Sequence, residues 1–205
     1  MKKSISILFA TLFCVSTIIA QPVSDRAVIP VAVTLNQILR LNIVDGGNVE
    51  FVFNNVADYK SGLSGLPEYQ TDFNVASSTP WNLQIYAEDA SFFGNDNPAN
   101  GMSLDYIGFS VVNLGVHLFG TEISVVDNAD SQAKVLTTGA SVVLGCAGST
   151  AAAVNCAGDI ADNSMRIVWQ AGTGANEMIQ TSFIDAGLNP DRYTNNVFLD
   201  LITSF

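Results

Sequence analysis

Residues 27–43 have the sequence AVIPVAVTLNQILRLNI. Every odd position is apolar except Gln37, and the even positions include Pro30, Thr34, Asn36, Arg40 and Asn42. Apolar residues that alternate with this period of two are typical of a β-strand with one buried face. The length predicts one very long strand or two collinear strands. Because Pro30 cannot donate a backbone hydrogen bond, its part of the strand should lie at a sheet edge or have one free side.

Short apolar segments separated by turn residues continue along the rest of the chain. Asp45-Gly46-Gly47 and residues 95–101 are turn signals, and residues 54–67 resemble a loop. Strands are predicted at Val49–Phe53, Thr71–Val75, Trp81–Ala87, Tyr106–Val112, Val116–Ile123, Lys134–Thr137, Ser141–Leu144, Met165–Gln170, Glu177–Phe183 and Val197–Thr203. Residues 147–157 form the best candidate for a short helix. This spacing of short strands indicates a β-sandwich or a barrel.

Residues 1–20 have the organisation of a secretory signal peptide. Lys2 and Lys3 precede a run that is apolar almost throughout from Ile5 to Ala20, and Ala20 is a small residue at a plausible cleavage point. The alternative, a transmembrane anchor, would need a longer apolar run and a charged flank after it. We therefore expect an exported protein whose mature part, residues 21–205, forms a single domain.

The acidic composition limits the classes of partner. The net charge is −11, and it becomes two units more negative once Lys2 and Lys3 leave with the signal peptide. Binding to nucleic acid or to anionic lipid requires clustered Lys and Arg, so neither is expected. Charged residues form 13% of the chain against a typical ~25%, and Asn, Ser, Thr and Gly supply the polarity instead. This balance favours a β-rich extracellular protein over a cytosolic enzyme.

Two cysteines remain after processing, Cys146 and Cys156. Because an exported protein meets an oxidising compartment, we predict a disulfide between them, with two free thiols as the alternative. Closing such a short loop contributes ~2–3 kcal/mol in the chain-entropy model. The chain has one histidine and no CxxC spacing, so no metal site is predicted at the cysteines.

No pattern of residues predicts catalysis or a cofactor. His117 is the single histidine, and no GxSxG motif accompanies it. Glu88 and Asp89 are adjacent, and adjacent residues of an extended strand point to opposite faces, so they make a poor general acid/base pair. Residues 95–97 and 159–163 offer oxygen ligands of the kind that Ca²⁺ takes, but turn residues explain them equally well. We predict that the protein is not an enzyme.

The long N-terminal alternation admits two interpretations. It can be a first strand that crosses between two sheets of its own domain. It can also leave its domain and complete the sheet of a neighbouring copy. In that case Ala27, Ile29, Val31, Val33 and Leu35 are the side chains that fill the neighbour's groove. Such a head-to-tail contact does not close on itself, and it therefore generates a filament.

The order of a signal peptide, a VIPVAVTL start, an NVEFVF strand and the stretch TDFNVASSTPWNLQIYAED resembles exported β-sandwich subunits. These include pilins of the alternate chaperone–usher type and other donor-strand fibre proteins, and the resemblance covers roughly residues 21–90. It implies an all-β, incomplete Ig-like (Greek-key) sandwich that polymerises at the cell surface through a donor strand in residues 21–36. The partners implied are other copies, a periplasmic chaperone and an outer-membrane assembly protein.

Two other functions remain open from the sequence. Residues 197–205 end in an aromatic residue after an alternating strand, which resembles the terminal strand of a small outer-membrane β-barrel. A monomeric adhesin or carbohydrate-binding module would share the fold and the compartment. Trp81, Leu83 and Ile85 share one face of a predicted strand, which favours core packing over an aromatic strip for sugar. The sequence also leaves open whether the N-terminal or the C-terminal strand is the donor.

Overall fold

Short antiparallel strands account for most of the regular structure. The computed structural model describes residues 27, 29–126, 129, 130, 132–146 and 156–204. The strands are β1 Leu39–Asp45, β2 Leu63–Ser64, β3 Gln70–Ser77, β4 Trp81–Ala87, β5 Ser91–Gly94, β6 Gly101–Ser103, β7 Ile107–Asn113, β8 Ser124–Val125, β9 Lys134–Val135, β10 Ser141–Gly145, β11 Ser164–Ala171, β12 Tyr193–Thr194 and β13 Val197–Thr203. One helix, α1 Val56–Ser61, and the 3-10 turns Pro67–Tyr69 and Leu104–Tyr106 accompany them. No helix in these ranges is long and apolar enough to cross a membrane.

The strands form two main sheets and one small sheet. The first main sheet has the order β1-β3-β11-β7-β9, with β2 beside β11, and the second has the order β13-β4-β10-β8. A small sheet has the order β12-β5-β6. Inward side chains from both main sheets, such as Phe73, Leu83 and Ile167, belong to one buried cluster. The prediction of an all-β sandwich is confirmed.

Strands β4 and β13 begin and end at the predicted residues. In β4, Trp81, Leu83 and Ile85 are buried, as expected for a strand whose odd positions face the core. Burying side chains of this size stabilises the fold by about 1.5–3 kcal/mol each. Core packing is therefore the role of the Trp81 face.

The prediction of one very long strand or two collinear strands over residues 27–43 is wrong for residues 29–38. Strand β1 starts only at Leu39, and residues 29–38 form no regular secondary structure. The first hydrogen bonds of this run with the rest of the described chain are from Gln37 Nε2 to Thr79 Oγ1 (3.0 Å), from the Ile38 N–H to Ser78 Oγ (2.8 Å) and from the Ser78 N–H to the Ile38 carbonyl (3.0 Å). The chain divides into two units between Leu35 and Asn36, close to the end of the predicted donor segment.

Three predicted strands have no ladder partner in the part of the chain that the structure describes. Residues 49–53 alternate as expected but are unpaired, residues 116–123 contain a turn with Gly120 at a φ of +77°, and residues 177–183 form turns. Helix α1 lies instead in the predicted loop, where the Asn55 side chain accepts a hydrogen bond from the Asp58 N–H (3.0 Å) and caps it. The short helix predicted at residues 147–157 falls largely outside the described residues.

A disulfide joins Cys146 to Cys156, as predicted, with the two Cα atoms 5.8 Å apart. The bridge lies against Trp81, which is fully buried. The Trp81 Nε1–H donates to the Cys156 carbonyl (2.8 Å), and the Trp81 carbonyl accepts from the Cys146 N–H (3.0 Å). The bridge and this side chain together fix the end of the sandwich where β4 begins.

An ion pair links the two central strands of the first sheet, and we predict that it makes stability pH-dependent. The Arg166 guanidinium donates to both carboxylate oxygens of Asp72, from Nε (2.6 Å) and from Nη2 (2.8 Å). This bond lowers the pKa of Asp72 below its ordinary 3.8, although partial burial opposes the shift. Because the folded-state pKa is the lower one, the pair stabilises the fold above pH 3.8 and loses that effect as the pH falls through the folded pKa.

We therefore expect Asp72→Asn to be less stable than the wild type at neutral pH, with the difference shrinking in acid. Urea denaturation between about pH 7 and about pH 2 measures this convergence. Asp89→Asn, at an exposed position, is the matched control and should follow the wild type throughout. A difference between Asp72→Asn and the wild type that stays constant over this range would contradict the assignment.

Candidate functional site

The described residues of the predicted donor strand are exposed. Ile29, Val31, Val33 and Leu35 are between 78% and 90% exposed, and Ala27 is exposed as well. Within residues 29–35 we find no hydrogen bond, and residues 21–26 and 28 of the predicted donor lie outside the described residues. We call residues 27–35 the N-terminal segment. The alternating apolar side chains of this segment are therefore in contact with water, which disfavours such a surface.

The body of the protein carries an apolar cleft of about 890 Å³. Its lining includes the buried core residues Met102, Ile107, Leu136 and Trp169. One side is formed by Leu41, Ile43 and residues 46–53, and the other by residues 188–199. We call this opening the edge cleft, because β1 and β13 are edge strands of the two main sheets.

The outer edge of β13 presents free backbone groups. The Glu88 N–H donates to the Asn196 carbonyl (2.9 Å), and the Ser204 N–H donates to the Pro80 carbonyl (3.0 Å). Even-numbered residues of β13 are therefore the ones that bond to β4, because the hydrogen-bonded pairs of an antiparallel ladder recur every second residue. The N–H and C=O groups of Val197, Leu199 and Leu201 point to the opposite side, where no described strand pairs with them.

The side chains of these same residues face inward. Val197, Leu199 and Leu201 are half-buried and pack against the core, whereas Phe198 and Ile202 are exposed. One set of residues in β13 therefore combines an unpaired backbone with a core-facing side chain. This combination marks a sheet edge that can accept another strand.

Strand β1 has the same property at the other edge of the opening. The Ser78 N–H bonds to the Ile38 carbonyl (3.0 Å), so the even-numbered residues of β1 bond to β3. The backbone groups of Leu39, Leu41 and Ile43 then point outward, and Leu39 and Leu41 pack against the core. Both sheets thus end at this opening with vacant hydrogen-bonding groups.

Residues 49–53 form a wall of the edge cleft that the sequence assigned to a strand. Val49, Phe51 and Phe53 pack against the core, and the rings of Phe51 and Tyr69 lie 4.4 Å apart. The alternation therefore signals burial correctly but not pairing. The Arg192 Nε–H donates to Glu50 Oε1 (3.0 Å), which links the two walls through an exposed and hence weak ion pair.

The C-terminal strand is held within its own sheet. All residues of β13, Val197–Thr203, pair with β4. Only the N-terminal segment is left without a ladder among the described candidates for a donor strand. The described residues thus include one candidate donor segment and two vacant sheet edges, those of β1 and β13.

The residues considered for catalysis or for calcium have structural partners. The Asn163 amide donates to the Cys156 carbonyl (3.1 Å), and its Oδ1 accepts from His117 Nδ1 (3.0 Å). The Asp191 carboxylate accepts hydrogen bonds from the N–H groups of Asp96 (2.9 Å) and Asn97 (3.1 Å), which lowers the pKa of Asp191. Asp191 thereby organises the turn at residues 95–101. Among the residues described, no cluster of three His, Cys, Asp or Glu side chains could hold a metal ion.

No family model matches the chain, and no curated protein matches it. The likeness to donor-strand fibre subunits therefore stays a prediction from the sequence pattern.

Proposed function

We propose that this protein is a structural subunit of an extracellular bacterial filament, assembled when the N-terminal segment of one copy fills the edge cleft of the next. The observation that supports it is the co-occurrence of an exposed, alternating apolar segment and an open cleft between two unpaired sheet edges. The apolar side chains of the segment are exposed to water, and the cleft exposes core residues that no strand covers. Insertion of the segment into the cleft would bury both surfaces.

The energetics favour such a joint. Burying a Val, Leu or Ile side chain contributes roughly 1.5–3 kcal/mol, and the segment offers Ile29, Val31, Val33 and Leu35. Added main-chain hydrogen bonds would satisfy the vacant groups of the edge strands. Part of this gain offsets the cost of ordering the segment and of association.

The predicted signal peptide, the disulfide and the open cleft are consistent with a subunit that other proteins escort during export. The signal peptide predicted at residues 1–20 and the disulfide at Cys146 indicate passage through an oxidising compartment. A subunit with an open cleft and a free apolar segment would associate prematurely at high concentration. A periplasmic chaperone and an outer-membrane assembly protein are therefore the partners that we expect besides other copies of the chain, with the bacterial surface as the final location.

The test is to place charges on the apolar positions of the segment. The double variant Val31→Asp/Val33→Asp should form no filament, because a carboxylate on a core-facing position must be buried unpaired. Mature protein, residues 21–205, is purified, incubated and examined by size-exclusion chromatography and negative-stain imaging. The wild type should give filaments under the same conditions.

The matched control is Ala32→Asp/Thr34→Asp, which adds the same charge at even positions of the same segment. Side chains there point away from a core that the odd positions enter, so this variant should polymerise like the wild type. Filaments of equal length from both variants would overturn the proposal. A wild type that stays monomeric would also overturn it, and would favour a monomeric adhesin or carbohydrate-binding module.

A further inference from the structure

We propose that the N-terminal segment binds the free edge of β13, antiparallel to it, and that its odd-numbered residues supply both the backbone hydrogen bonds and the buried side chains. This inference rests on the proposed function and specifies the pairing within it. It assigns the segment to one of the two vacant edges and predicts which N–H groups the joint needs.

The direction of the segment follows from the two ends of the sandwich. Strand β1 starts at Leu39 opposite Ser77, and the nearby Pro80 carbonyl bonds to Ser204, so β1 begins at the end where β13 finishes. The edge cleft is lined by the other half of these strands, by Leu41 and Ile43 of β1 and by residues 197–199 of β13. In a head-to-tail contact, the segment enters from the cleft end with Leu35 nearest to the entrance.

Its chain direction then runs opposite to β13 and parallel to β1. In an antiparallel pair, directly opposite residues share a face of the sheet and alternate between bonded and non-bonded pairs. The vacant backbone groups belong to Val197, Leu199 and Leu201, whose side chains face the core. Segment residues opposite them must therefore both bond to β13 and point inward. The apolar odd positions of the segment meet both requirements.

Pairing with β1 would instead require hydrogen bonds from the even-numbered residues of the segment. In a parallel pair, a residue bonds to the two residues flanking its opposite neighbour, so the even-numbered N–H groups of the segment would face β1. Position 30 is even and is a proline, which has no N–H to donate. At an even position facing away from β13, Pro30 removes no hydrogen bond from the antiparallel pair. The proline therefore selects the β13 edge.

Proline substitutions at an odd and at an even position of the segment, in the full mature chain, test whether the odd-numbered N–H groups make the hydrogen bonds. Val33→Pro removes an odd N–H and should reduce filament formation by about tenfold or more, the range expected when a buried hydrogen bond is lost. Ala32→Pro imposes the same backbone restriction but removes an even N–H, and it should retain wild-type assembly. Val33→Ala separates the side chain from the backbone and should fall between the two. Because both positions, 32 and 33, are exposed, circular dichroism of the monomers should not change.

Hydrogen exchange of the wild-type filament gives a second measurement. The amides of Val31, Val33 and Leu35, together with those of Leu199 and Leu201, should gain more protection than the amides of Ala32 and Thr34. If both proline variants lost filament formation equally, or if Ala32→Pro lost more than Val33→Pro, the inference would be overturned. Amide protection that does not alternate between odd and even residues would also overturn it. The proposal that the protein forms filaments would stand in each case. Absence of wild-type filaments would instead remove the proposed function itself.

Discussion

Filaments grown with added Val31→Asp/Val33→Asp subunits should become shorter as the share of that variant rises. The variant keeps its edge cleft and can accept the N-terminal segment of a growing filament, but its own segment cannot enter the next cleft. Each incorporated variant therefore blocks the tip that carries the unused segment, so a filament holds at most one variant, and the mean length should fall roughly as the inverse of the variant fraction. Negative-stain length distributions at a series of mixing ratios measure the effect.

The even-position variant, Ala32→Asp/Thr34→Asp, is the control in the same mixtures and should copolymerise without shortening the filaments. It carries the same added charge, so it accounts for non-specific repulsion between acidic subunits. Unchanged lengths with the odd-position variant would mean that its cleft accepts no segment, and the assignment of donor and acceptor would fail together.

Replacing Trp81 by Ala should lower the melting temperature by about 10 °C or more. Trp81 is fully buried, and removing such a side chain costs about 3–5 kcal/mol through the cavity that it leaves. The Cys156 carbonyl would also lose the hydrogen bond from Trp81 Nε1. A domain of this size loses about 2–4 °C per kcal/mol, and its total stability is about 5–15 kcal/mol. Calorimetry of the oxidised mature protein measures the shift.

Two further variants separate the contribution of the Trp81 hydrogen bond from that of its packing. Trp81→Phe keeps most of the volume and removes the hydrogen bond, so it should cost about 1–3 kcal/mol. Phe198→Ala removes a ring that is 40% exposed on the outer face of β13 and should change the melting temperature much less. A Trp81→Ala protein that melts within about 2 °C of the wild type would contradict the packing described for this end of the sandwich.

The sequence predicted the fold best where a strand has neighbours that complete its ladder. Strands β4 and β13 were predicted to the residue, because each alternates apolar and polar positions and each pairs along its whole length. Residues 49–53 alternate just as clearly, yet no described strand pairs with them, and they pack through the rings of Phe51 and Phe53. Alternation reports which side chains are buried, and it carries no information about whether a second strand lies alongside.

Of the two parts of the candidate site, only the N-terminal segment could be predicted from the sequence. The apolar set at Ile29 and Val31 is visible in the sequence, since local alternation and Pro30 identify a segment suited to an edge. The edge cleft depends on which strands end each sheet, and that arrangement brings β1 together with β13 from opposite ends of the chain. No local pattern of residues identifies which strands end a sheet, so the edge cleft can be recognised only in the folded structure.

The start of β1 and the edge cleft lie at opposite ends of the same sandwich. A polymer joined through them carries one donor and one acceptor per subunit at every length, because a single polypeptide supplies both. It cannot branch, since every interior cleft is already occupied and every interior segment already used. It also has two chemically different tips, one with a vacant cleft and one with an unused strand, so a molecule that recognises either tip could distinguish where the fibre starts from where it stops.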